Sequence, residues 1–151
     1  MRQILFSMHF RGRVSASAGS KSRWLRTTGS AAGCVVNTVI GSRGVETEFT
    51  PSPGELAFLD SVLQVTGPDS FQEKGAITFG EGGHVLRFSS VGEGHFRPSF
   101  DPDTMTGSVS WQVEGGEGQF AAARGLITSA FTLTHSGERC DFHSGLIFLP
   151  E

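Results

Sequence analysis

The residues best suited to chemistry in this chain are few and scattered. Asp141 and His143 sit two apart in the segment CDFHSGLIFL, so on a strand their side chains share one face. A carboxylate beside an imidazole can orient a proton carrier or complete a metal site, yet a metal needs a third and a fourth ligand. The five histidines, His9, His84, His95, His135 and His143, form no H-x-H or H-E-x-x-H spacing, and no metal is expected. His95 and Arg97 follow the turn VGEG, and Glu48 lies in the alternating run VETEF. Together, His95, Arg97, Asp141, His143 and Glu48 are the candidate catalytic groups. Nothing marks a nucleophile: there is no G-x-S-x-G elbow, and neither Cys34 nor Cys140 lies in a reactive context. The two cysteines read as buried free thiols, although their pairing stays open.

Polar groups of this kind need apolar walls. Phe88, Trp111 and Phe131 are the expected core or cavity wall, and hence the candidate ligand-binding residues. The link 92–106, GEGHFRPSFDPDTMT, interleaves aromatic and charged residues, as a loop at a barrel mouth would.

The elements that must position these residues are strands. Ile4, Phe6, Met8 and Phe10 alternate with Leu5, Ser7, His9 and Arg11, which predicts a strand with one apolar face. CVVNTVI, VETEF, GAITFG, HVLRFSSV, GSVSWQVE, GLITSAFTLT and CDFHSGLIFL repeat the signal, each bounded by Gly, Pro, Asp or Ser. Residues 52–66 are ambiguous. Ser52, Pro53 and Glu55 make a capping signature, but the stretch reads better as a strand overall, with a helical turn at its start left open. Residues 15–33, rich in Ser, Gly and Ala, read as a flexible loop or arm. The expected fold is all-β: one small antiparallel barrel of about eight strands spanning residues 1–151.

The glycine run in WQVEGGEGQFAAARGLITSAF tests a nucleotide reading and fails it. No Lys-Ser/Thr follows the glycines, the third glycine of a dinucleotide fingerprint is missing, and Glu114 and Glu117 would repel phosphate. The run is instead expected to turn a sheet, with Gly116 or Gly118 at positive φ and Phe120 plugging a barrel end. Val113, Gly115, Gly116, Gly118, Phe120, Ala123 and Gly125 resemble the strand-ending turn of allene oxide cyclase-like (calycin-like) barrels, with Glu117 and Ala122 departing from the pattern. That resemblance implies a cofactor-independent cyclase or isomerase acting on a lipid-like or polyketide-like substrate. A non-catalytic lipocalin-like binding or protein-interaction module is the alternative, since the same apolar pocket serves either.

Composition narrows the partners. All seven bases through Arg43 precede the first acid, while the fifteen acids and five further bases follow, within a net charge of −3. The early bases are spaced, not clustered, so the segment reads as lying against its own acidic remainder, not against nucleic acid. The apolar part of MRQILFSMHF is too short for a secretory core, and no run approaches the ~18 residues of a membrane span. The expectation is a cytoplasmic protein whose partner is a small hydrophobic molecule, with self-association left open.

Overall fold

The computed structural model describes residues 1–16 and 23–151. Among these are nine strands: β1 (Arg2–Ala16), β2 (Trp24–Gly41), β3 (Gly44–Val65), β4 (Ser70–Phe79), β5 (His84–Ser90), β6 (Gly94–Pro98), β7 (Thr104–Glu117), β8 (Arg124–Thr134) and β9 (Glu138–Leu149). All pairings are antiparallel, and they run β1-β2-β3-β4-β5-β7-β8-β9 and back to β1, so eight strands close a ring. The short β6 bridges β4 and β7 at one end. The predicted all-β barrel is therefore what the chain forms.

Period-2 alternation builds the interior. Phe6 and Phe10 of β1, Leu59 and Leu63 of β3, Trp111 and Val113 of β7, and Ile127 and Phe131 of β8 point inward and are buried, while their neighbours face out. One end of the barrel is shut. After β7 the chain makes a single 3-10 turn, Gly118–Phe120, that drops Phe120 into the interior against Phe79, with ring centroids 5.2 Å apart. Gly118 has φ +60°, and a Cβ there would lie 2.2 Å from the carbonyl oxygen of Gly83. The glycine run thus turns the sheet, as its composition predicts.

One reading of the sequence needs correction, and one open alternative closes. Residues 24–33, expected within a loop, belong to β2: Thr27 and Ala31 face the core, and the segment pairs with β1 and β3. Small side chains there reflect close strand approach, not a lack of structure; residues 17–22 of the expected arm lie outside the described residues. Residues 52–65 are extended, as the strand reading expects, and there is no helical turn at Ser52: β2 pairs with β3 on both sides, Cys34↔Pro51 and Ala32↔Leu56 to Trp24↔Gln64, with a register shift between Ala32 and Cys34 that leaves 52–55 as a bulge.

Beyond the ring, β2 and β3 continue as a two-stranded ribbon down to the Gly41↔Gly44 pair. β1 pairs with β2 no further than Ser30, and β4 pairs with β3 no further than Ala57. The ribbon touches the outer wall through Phe49, whose ring lies 5.9 Å from His9, itself stacked on Phe142 at 4.2 Å. Burial, followed by the nearby Arg11, holds the His9 imidazole below its ordinary value.

Candidate functional site

A belt of polar side chains crosses the middle of the barrel. Arg139, the second residue of β9, projects inward and is 2% exposed. Its Nη1 donates to Thr27 Oγ1 at 3.1 Å and to Glu73 Oε1 at 3.2 Å. Its Nη2 lies 2.8 Å from Asp141 Oδ2. Ser61 donates to Glu73 at 2.6 Å and Ser129 to Asp141 at 2.5 Å. His143 Nε2 stands 3.1 Å from Asp141 Oδ2, and its ring packs between Phe10 and Trp111, each with centroids 4.7 Å away. β2, β3, β4, β8 and β9 each contribute to this belt because inward-facing residues of antiparallel neighbours stand side by side on the lumen wall.

Opposing forces set the charge of the belt. Burial would raise the Asp141 carboxyl, but Arg139, His143 and the Ser129 hydroxyl overcome it and hold Asp141 below the usual carboxylate range. Burial would likewise favour loss of the Arg139 proton, and Glu73 and Asp141 reverse that too. One guanidinium thus faces two carboxyl groups. The geometry leaves Arg139 Nε and Glu73 Oε2 buried without a hydrogen-bond partner among the described residues.

Above the belt the lumen opens. A cavity of about 200 Å³ is lined by Leu25, Leu63, Phe71, Phe96, Met105 and Phe131, with Arg139 among its walls. The Arg139 guanidinium sits over the Phe131 ring, 4.4 Å from its centroid. Phe96 comes from β6, so the segment 92–106 does carry a mouth residue, although part of it is strand.

The candidate residues separate on this frame. Asp141 and His143 share a face and meet in the lumen. His95 and Arg97 are less buried than Phe96 between them, on β6, and Glu48 is exposed on the projecting ribbon; the structure does not bring these three to the belt. Phe131 lines the cavity, whereas Phe88 and Trp111 stack at 4.0 Å deeper in the packed interior. Sequence reading missed Arg139, Glu73, Thr27, Ser61 and Ser129. The two cysteines are free and half-buried. Among the described residues no group of three or more His, Cys, Asp or Glu could hold a metal, and no helix is long and apolar enough to cross a membrane.

No family model matches the chain, and no curated protein does. Among solved structures, the pterocarpan synthase dirigent protein GePTS1 is similar in fold, with a TM-score of 0.50 and 13% identity over 99% of this chain and 90% of that one. At that identity the likeness shows the fold alone, an antiparallel β-barrel. It also overturns the assignment to allene oxide cyclase-like barrels, because the structural likeness is to a dirigent protein. The glycines that suggested the assignment have a local cause: a Cβ on Gly116 would lie 1.7 Å from the Val85 carbonyl oxygen, and one on Gly118 2.2 Å from that of Gly83.

Proposed function

We propose that the chain binds a small, uncharged, ring-sized apolar molecule in the mouth of its barrel. The observation that carries this reading is the 200 Å³ apolar cavity bounded on one side by Arg139. Its size discriminates between ligands: an enclosed apolar cavity of ~150 Å³ holds one benzene, so this one suits a single ring with a substituent, not a long acyl chain. The charge of the belt discriminates further. With two carboxyl groups around one guanidinium, a ligand carboxylate would meet no surplus positive charge. A neutral ligand loses nothing by this, and its polar substituent would reach a donor at Arg139.

Binding is measured by thermal unfolding with toluene, indole and decanoate as probes. The neutral rings are expected to raise the transition, by about 2.7 kcal/mol of stabilisation at a hundredfold excess over Kd. Decanoate is expected to act more weakly. Met105→Trp, which fills the cavity from β7, should abolish the effect while dichroism shows an unchanged barrel. Equal stabilisation of the wild type and the Met105→Trp variant by indole, or no effect of any probe, would sink the reading.

A further inference from the structure

On the outer wall, away from the mouth, three side chains stand in a row across three strands. Trp24 of β2 is paired with Gln64 of β3, and Gln64 with Gln72 of β4. The next row outward on the same face is Arg26, Val62, Lys74 and Ser89, again in register. Their sequence neighbours Leu63, Phe71 and Glu73 point into the lumen, which fixes these rows on the outside. Between them lies a groove of about 220 Å³, lined by Trp24, Val62, Gln64, Gln72, Lys74 and Ser89, with Glu73 and Ser90 also contributing. It shares no residue with the mouth cavity. A broader, shallower depression continues from Val62, Lys74 and Ser89 towards Ala76, so the surface is long enough for more than one ring.

We propose that this groove is a carbohydrate site that prefers an acidic sugar. The chemistry of the lining selects the class. Trp24 is 37% exposed, and the electron-rich face of an indole attracts the partly positive C–H edge of a pyranose. Each glutamine amide offers donors and an acceptor together, which matches a pair of vicinal hydroxyls, whereas the Ser89 hydroxyl already donates to Glu114. The cations then decide between neutral and acidic rings. Arg26 is held by Asp60 at 2.6 Å and Arg87 by Glu117, whereas Lys74 is in no ion pair among the described residues. The Glu114 carboxylate beside Ser89 is taken up by hydrogen bonds from Ser89 and Gln112, which leaves the Lys74 ammonium to meet one ligand carboxylate. A nucleic-acid strand would also stack on Trp24, but its affinity rests on several cations set against successive phosphates, and the groove supplies a single one.

The test is a nuclear magnetic resonance titration of the whole chain with trigalacturonate and with its carboxyl-reduced, neutral counterpart. Both are expected to move the side-chain amide signals of Gln64 and Gln72 and the indole N–H of Trp24, the acidic trisaccharide binding several-fold more tightly. Trp24→Ala should weaken both by about tenfold or more, and Lys74→Gln should remove most of the difference between them. Amide signals of Phe96 and Met105 at the mouth should stay still. The proposal is overturned if neither sugar moves these signals, if Trp24→Ala binds like the wild type, if the neutral sugar binds as well as the acidic one, or if oligothymidylate binds more tightly than either.

Discussion

Replacing Arg139 by Met tests whether the lumen belt is held by its single cation. The substitution keeps the apolar stem and removes the donors to Thr27 and Glu73 and the positive charge 2.8 Å from Asp141. Glu73 and Asp141 would then face each other's burial with only hydroxyls and an imidazole nearby. Breaking a buried pair from one side costs about 3–5 kcal/mol. At about 2–4 °C per kcal/mol for a domain of this size, the melting temperature should fall by about 6–20 °C. A triple variant, Arg139→Met with Glu73→Gln and Asp141→Asn, should recover a large part of that loss, because no buried charge is then left unpaired.

The pH dependence supplies a second, independent readout. In the wild type the Asp141 pKa is depressed, so its contribution is present above the ordinary carboxylate value of about 3.9 and is lost as pH falls through the lower folded value. Without Arg139, burial is the leading influence on Asp141 and pushes its pKa up. A raised carboxyl stabilises at low pH and loses that stability as pH rises. The deficit of Arg139→Met should therefore shrink between pH 7 and pH 5, while the wild type changes little there. Urea unfolding followed by dichroism at the two pH values measures it. A melting temperature within about 2 °C of wild type, or a deficit that does not change with pH, would show that the belt is not held by charge.

Gly118→Val forces a β-branched residue into φ +60° and into the carbonyl of Gly83, and should cost about 1–3 kcal/mol in urea unfolding, whereas Gly83→Ala, with open space at its Cβ, should cost well under half of that. Phe49→Ala should free the ribbon from His9 and Phe142: trypsin should then cleave at Arg43 faster, while the barrel's dichroism is unchanged. In the same variant the His9 pKa, read from its imidazole proton shifts, should rise towards the ordinary value, since burial is the main cause of its depression.

Strand alternation was legible because it is local. Ile4 to Phe10, Gly75 to Gly80 and Trp111 to Glu114 each show their inward face within a few residues, and closure into a barrel follows from short antiparallel links. Asp141 and His143 were legible for the same reason, being two apart on one strand. Arg139 was not: it stands just after the turn at Ser136 and Gly137, where a basic residue ordinarily faces water, and only the closed ring shows that it shares the inward parity of Asp141. Two of its partners, Glu73 and Thr27, lie 66 and 112 residues away, a separation that no periodicity reports. Glu73 was hidden similarly in FQEKG, a segment too polar to announce a buried strand. Thr27 and Ala31 alternate inward through a run of small residues whose composition alone resembles a loop.

The two proposed sites lie back to back on the same pair of strands. In β3, Leu63 faces the mouth while Val62 and Gln64 face the groove; in β4, Phe71 lines the mouth and Glu73 the belt while Gln72 and Lys74 face the groove. A pleated strand can serve both surfaces because successive side chains point to opposite faces, with the backbone ladder between them. The ladder also keeps the sites chemically separate: β3 and β4 are paired without interruption from Ala57↔Phe79 to Val65↔Phe71, so an outer side chain reaches the lumen only by breaking that register. Residue parity, not sequence distance, therefore decides what a substitution in 71–74 does. An odd position alters the apolar mouth or its ionic belt, and an even one alters recognition outside, even though the four residues are contiguous.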